Sequence, residues 1–228
     1  MRVSFLIPSY NERATILEVL ERIESLGLDR QLIIVDDGST DGTSDLLREW
    51  EAERDDVVLI RQENRGKGAA IRAAIPHIDG EIAVIQDADM EYDPADVPAL
   101  VEPIERGVAD VVYGSRFLGG PHRVLLFWHY VGNRLLTTLS NALTNLNLSD
   151  VWTCYKVFRA EVLGQVRLRE DRFGFEAEIT AKVARAGWRV YEVPISYHGR
   201  TYAEGKKITW KDGVRGVWCT LRYGLRPS

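Results

Sequence analysis

No segment of this sequence stays apolar long enough to cross a bilayer. The longest apolar run, residues 124–131, has His129 inside it and is far shorter than the ~20 residues a spanning helix requires. The expectation is a chain that does not cross a membrane by itself. Cysteine is also scarce. Cys154 and Cys219 are the only two in 228 residues, which excludes a disulfide framework or a zinc-finger spacing. Reduced thiols in a cytoplasmic protein are the simplest expectation. The opening residues, Met1 to Pro8, are too short for a signal peptide and read as a first strand. No GxGxxG follows that strand, and Arg65-Gly66-Lys67-Gly68 lacks the spacing of a P-loop. Repeats, low-complexity tracts and interdomain linkers are absent. So is an excess of positive charge: the net charge of −5 argues against general nucleic-acid binding.

The charge is unevenly placed. Residues 200–228 hold seven basic residues against two acids, a balance of +5, which leaves −10 on residues 1–199.

What is present in the first half is an alternation of strand and helix patterns. Apolar runs at residues 3–7, 32–35, 57–60, 82–85 and 109–113 read as strands. Between them lie helical spacings. Asn11 is expected to cap a helix carrying Ile16, Leu17, Leu20, Ile23 and Leu26 and ended by Gly27. Asp41 or Ser39 would cap a second helix reaching to about residue 53, residues 66–75 form a third, and Asp93-Pro94 begins a fourth. Strands separated by helices predict an α/β fold with a mostly parallel sheet covered on both faces. In the second half, residues 124–148 read as a helix, 151–158 as a strand, and 175–186 as a helix ended by Gly187. Residues 190–197 read as a strand that Pro194 makes an edge. A basic amphipathic helix over 208–225 closes the chain.

The strongest chemical signal is Asp87-Ala88-Asp89-Met90-Glu91, directly after the apolar run 82–85. If the strand geometry continues, Asp87, Asp89 and Glu91 project to one side. Three convergent carboxylates call for a cation between them, and oxygen donors suit Mg²⁺ or Mn²⁺. The turns after the strands, Ser9-Tyr10-Asn11-Glu12, Asp36-Asp37-Gly38 and Asp87-Ala88-Asp89, should meet in one crevice.

These motifs, with Pro8 and Asn64-Arg65-Gly66-Lys67-Gly68, resemble family 2 glycosyltransferases of the GT-A (Rossmann-like) fold. Gly114-Ser115-Arg116, Ser149-Asp150, residues 173–178 and residues 192–197 resemble the dolichol-phosphate mannose synthase branch, which includes bacterial polyprenyl-phosphate glycosyltransferases. The resemblance covers about residues 3–215. It departs in three places: many relatives carry transmembrane helices, the third metal-side position is often Gln rather than Glu91, and residues 152–156 replace a smaller, Gly-rich stretch.

The resemblance implies a single domain over 1–228, with a nucleotide-sugar-binding half at 1–115 and an acceptor-binding half at 116–228. The implied reaction moves mannose or glucose from GDP-mannose or UDP-glucose to a polyprenyl phosphate, with inversion. Pro8, Tyr10, Glu12, Val35, Asp37, Lys67, Asp87 and Ala88 would bind the nucleotide-sugar, and Asp87, Asp89 and Glu91 the metal. Asp36 is read instead as a brace of its turn. An ionised lipid phosphate needs no base to activate it, so cations that align two anions are the main requirement. Arg116, Arg134 and Arg200 are the candidates, and Asp150 would orient the sugar or serve as a base. The helices at 124–148 and 208–225, with Lys206, Lys207 and Lys211, would lie on a membrane surface or pack on the sheet; both readings stay open, as does a separate membrane subunit. Competing readings are a family 2 transferase with a soluble or glycan acceptor, a non-catalytic nucleotide-sugar-binding module, and a nucleotidyltransferase.

Overall fold

A computed structural model describes residues 1–52, 54–119, 121–124, 126–200 and 210–225, with only the backbone described for Trp210 and Lys211. The elements in chain order are β1 (Val3–Ser9), α1 (Ile16–Ser25), β2 (Arg30–Asp36), α2 (Thr43–Glu51), β3 (Val57–Arg61), α3 (Lys67–Ala74), β4 (Ile82–Ile85), α4 (Val97–Glu105), β5 (Val111–Ser115), α5 (Phe127–Thr144), β6 (Lys156–Arg159), α6 (Ala160–Gln165), α7 (Phe175–Ala186), β7 (Val190–Pro194) and α8 (Trp210–Leu225). The described strands form one sheet in the order β3-β2-β1-β4-β6-β5-β7. All neighbours pair parallel except β6, which runs antiparallel to both β4 and β5.

The apolar runs of β1, β2, β4 and β5 are buried on both faces, as a parallel sheet requires, and β3 at the edge is half-buried. Alternate residues point to opposite sides. Phe5, Ile7, Leu32, Ile34 and Val84 pack with Ile16, Val19, Leu20 and Ile23 of α1 and Val97, Leu100 and Ile104 of α4. Leu6, Ile33, Val35, Ala83 and Ile85 pack with Ala70 and Ile71 of α3, Val162 of α6 and Phe175 and Ile179 of α7. Val35, expected to border the nucleotide, is fully buried in this second core. Strand parity places it on the face covered by α3.

Two other expectations are corrected. Asn11 does not cap α1; it sits at φ +53°, a left-handed conformation Asn tolerates better than most residues. Its N–H donates to Ser39 Oγ at 2.9 Å and its Oδ1 accepts from Thr40 N at 2.7 Å, which joins the turns after β1 and β2. The strand expected over 151–158 shortens to β6. Val151 N donates to Thr137 Oγ1 and Cys154 N to the Tyr92 hydroxyl, so side chains satisfy backbone groups that a ladder would have used. The six-residue α6 has no counterpart in the sequence reading, being too short to show a period. The edge position of β7 matches the expectation from Pro194.

Candidate active site

The turns that leave the carboxyl ends of β1, β2 and β4 open into one cleft of about 1970 Å³. Pro8, Tyr10, Glu12, Asp37, Lys67, Asp87, Ala88, Asp89 and Glu91 line its floor. Asp37 holds its neighbouring loop. Its Oδ1 accepts from Gln62 Nε2 at 2.6 Å and Arg65 N at 2.9 Å, and its Oδ2 from Gly66 N at 2.8 Å. A carboxylate offers about four lone-pair sites, so roughly one remains for a ligand. Asp36 faces away from this loop, accepting from Ser39 N and Ser44 Oγ as a turn brace.

The three acids after β4 do not converge. The strand ends at Ile85, the alternation stops with it, and among the described residues no group of three His, Cys, Asp or Glu side chains gathers as a metal site. Two cations divide the acids instead. Lys67 Nζ lies 2.5 Å from Asp87 Oδ1 and 2.9 Å from Cys154 Sγ. Arg200 reaches Asp89 Oδ2 through Nη2, Glu91 Oε1 through Nε at 3.0 Å, and Glu12 Oε2 through Nη1 at 3.6 Å. Glu91 also accepts from the Tyr197 hydroxyl at 2.8 Å, fastening the segment after β7 to the floor.

Electrostatics follow from this crowding. Burial, then the charges of Asp87 and Glu91, push Asp89 up to about 7, and Arg200 offsets only part of that. Burial works against Asp87 as an anion, but the Lys67 ammonium holds its carboxyl below the usual range. A carboxylate crowded by like charge in a half-dry cleft is what a hard cation relieves. Asp87, Asp89 and Glu91 offer only oxygen donors, the kind a divalent ion takes, but here Lys67 and Arg200 supply the positive charge beside them.

Arg116 and Asp150 form a bidentate pair, Nε to Oδ2 at 2.7 Å and Nη2 to Oδ1 at 2.9 Å. Asp150 is fully buried behind the arginine, which corrects its expected place against the sugar or as a free base: its lone pairs hold Arg116. Arg116 faces the cleft, its guanidinium carbon 5.1 Å from the centre of the Tyr197 ring. Arg134 lines the same cleft from α5 and has no ion-pair partner among the described residues. Residues 201–209 fall outside the described residues, Lys206 and Lys207 with them, as does the side chain of Lys211.

Sequence reasoning missed Glu176, Cys154 and Trp152. Glu176 is 3% exposed, lines the cleft, and leaves Oε2 without a hydrogen-bond partner. Burial raises its pKa, against the pull of Lys67 and Lys156. Lys156, itself buried, is lowered to about 8. Its segment, residues 173–178, carried the family resemblance, but at the start of α7 an acid is ordinary as a dipole partner, so the pattern gave Glu176 itself no role. The opposite wall of the cleft is apolar and open: Val124, Leu126, Trp128, Val214 and Trp218 line it.

A parallel sheet with a single reversed strand, and an acid turn at the strand end opening on a cleft of paired acids and cations, define a GT-A-type glycosyltransferase fold. The model of "Glycosyl transferase family 2" matches residues 4–167, and the chain belongs to that family. Among sequence relatives, it is 32% identical to an undecaprenyl-phosphate mannosyltransferase of Micrococcus luteus over 99% of this chain and 95% of the relative. It is 30% identical to the glycosyltransferase AglJ of Haloferax volcanii over 87% of this chain, and spans 63% of that relative's length. In structure it is similar to glucosyl-3-phosphoglycerate synthase of Mycobacterium tuberculosis in complex with Mn²⁺, UDP and glucosyl-3-phosphoglycerate, with a TM-score of 0.75 and 21% identity over 99% of this chain and 81% of that one. This last likeness bears on the fold.

Proposed function

We propose that the protein transfers a hexose, mannose or glucose, from a nucleoside-diphosphate sugar to a polyprenyl phosphate, with inversion at the anomeric carbon. One observation carries this reading: a floor of paired acids and cations runs without a break into an apolar, aromatic wall in a single cleft. A lipid phosphate has both properties, a charged head and a hydrocarbon tail. The mannosyltransferase named for undecaprenyl phosphate in Micrococcus luteus points the same way.

In this reading residues 1–115 hold the donor and 116–228 the acceptor. Asp37 takes the base, and Pro8, Tyr10, Glu12 and Ala88 border the nucleoside. Asp89, with Asp87 and Glu91, would hold Mg²⁺ or Mn²⁺, whose charge offsets the negative charge that grows on the leaving diphosphate. Glu176 suits the sugar better than the phosphates, since a buried carboxylate accepts from hydroxyls and repels anions. Arg116, Arg134 and Arg200 dock and align the two anions. An acceptor phosphate oxygen attacks the anomeric carbon as the bond to the diphosphate breaks. The oxygen carries no proton to remove, so a free base is not required. Asp150 supports this, because Arg116 already occupies both its oxygens.

The open faces of α5 and α8 are proposed to meet a membrane surface. Trp128 is 78% exposed and Leu135 67% on α5, and Val214 60% on α8, and exposed apolar surface of this extent marks an interaction site. No described helix is long and apolar enough to cross a membrane. Basic residues near anionic lipid add about 1 kcal/mol each. The protein should therefore sediment with anionic vesicles at low salt and be released as salt rises; equal recovery in the supernatant with and without vesicles sinks the membrane contact.

The deciding experiment measures nucleoside diphosphate release with Mn²⁺ from GDP-mannose, UDP-glucose and UDP-N-acetylglucosamine, each with and without a short-chain polyprenyl phosphate. Release with GDP-mannose or UDP-glucose, dependent on the lipid phosphate, is expected. Release that ignores the lipid assigns a soluble acceptor, and no release with any donor favours a binding module.

A further inference from the structure

The loop that carries Lys67 rests on the segment before α7, and that segment is tied by side chains to α8. Both contacts are tight. A Cβ on Gly66 would fall 2.6 Å from the Asp171 carbonyl oxygen, and one on Gly68 would collide with the Glu170 carbonyl oxygen. Ala69 N donates to Asp171 O at 3.0 Å, and Arg72 of α3 pairs with the Asp171 carboxylate. The loop therefore has little freedom to move unless residues 170–171 move with it.

Residues 170–171 are in turn fixed from below and from the side. Glu178 of α7 accepts from Arg169 N at 2.9 Å and Glu170 N at 2.7 Å. The Glu170 side chain, 6% exposed, points into α8: its Oε2 accepts from Arg215 Nη2 at 2.9 Å and its Oε1 from the Tyr223 hydroxyl at 2.8 Å, with Arg222 Nη1 at 3.6 Å. Three groups from positions two turns apart on α8 thus converge on one carboxylate. Removing a partner from a buried, hydrogen-bonded charge cluster leaves the remaining charges uncompensated.

We propose that Glu170 is a positioning residue through which α8 sets the loop around Lys67, and so the affinity for a nucleoside diphosphate. It touches neither donor nor acceptor. It acts by holding the carbonyls of residues 170 and 171 against Gly68 and Gly66, which keeps Lys67 Nζ at Asp87. Anything that shifts α8, a lipid surface against its open face included, reaches the donor loop by this route. The inference rests on the proposed function only in taking that loop as part of the nucleotide-sugar site.

The test measures GDP and UDP affinity with Mn²⁺ for the wild type, Glu170→Gln, Tyr223→Phe and the double variant, with hydrogen exchange read at residues 64–70. Glu170→Gln is expected to weaken nucleotide binding about tenfold and to speed exchange in that loop, while Tyr223→Phe does less. Because both act through one carboxylate, their effects should not add. A merely structural Glu170 would lower the melting temperature of both variants yet leave the affinity of the folded protein and the exchange of residues 64–70 unchanged. That result, or strict additivity in the double variant, overturns the proposal. If the wild type binds neither nucleotide, the donor assignment fails instead.

Discussion

Asp87 and Asp89, after β4, and Arg134, on α5, belong to one cleft in opposite electrostatic conditions. The two acids are crowded, half-dry and already matched with Lys67 and Arg200. Arg134 is exposed and has no acid beside it among the described residues. The floor is pre-organised: its charges stand in place before a ligand arrives, which suits a site that stabilises developing charge. The wall is exposed and rich in apolar side chains, which suits a long flexible ligand bound mainly by surface burial. The two halves should therefore fail in different ways when altered.

The largest effect belongs to the floor. Asp89→Asn keeps the shape of the side chain and removes its charge. Turnover with the productive donor should fall on the order of 10³-fold, about 4 kcal/mol of transition-state stabilisation. Steady-state rates at saturating donor and acceptor check this, and a fall below tenfold would place the metal elsewhere. Arg116→Met comes next: besides removing a docking cation it lowers stability. It leaves Asp150 charged and buried without its cation, which costs about 3–5 kcal/mol. Urea unfolding measures it, and the double variant with Asp150→Leu should recover much of the loss. Arg134→Gln should leave unfolding unchanged and raise the KM for polyprenyl phosphate about tenfold, the value of one charge-assisted contact. If Arg134→Gln instead raised the donor KM alone, the division between floor and wall would be wrong.

The same division explains what could be read from sequence. The strands β1, β2 and β4 were legible because each is an apolar run stopped by a polar turn, and the crevice at their ends follows from parallel topology. Side-chain direction was legible only where strand parity held. It held for Val35, which alternation places on the face under α3. It failed after Ile85, where the strand stops and Asp87, Asp89 and Glu91 take separate partners. Those partners, Lys67 and Arg200, lie 20 and 111 residues away from Asp87 and Asp89 along the chain, beyond any local pattern. The partners of Asp150 and Glu176 were illegible for a related reason. Asp150 is a carboxylate neutralised by Arg116 and Glu176 a carboxylate left partly orphaned, and only the tertiary fold distinguishes them.

A second arginine–carboxylate pair sharpens the comparison at the smallest scale. Arg189 grips Asp110 with Nε at 2.9 Å and Nη2 at 2.6 Å, the same bidentate geometry as Arg116 on Asp150. The surroundings differ: Arg189 is 53% exposed, whereas Arg116 is 11% exposed. Hydrogen bonds from Arg189 hold Asp110 down to about 2. A carboxyl depressed in the folded state stabilises the fold above its ordinary value near 3.9 and loses that contribution as pH falls toward 2. Solvent screening at Arg189 limits the contribution to about 1 kcal/mol. The difference in unfolding free energy between wild type and Asp110→Asn should therefore be about 1 kcal/mol at pH 6 and shrink toward zero between pH 4 and pH 2. A difference that stays constant across that range would mean that Asp110 acts through packing and not through its charge, and the exposed pair would then be no weaker in kind than the buried one.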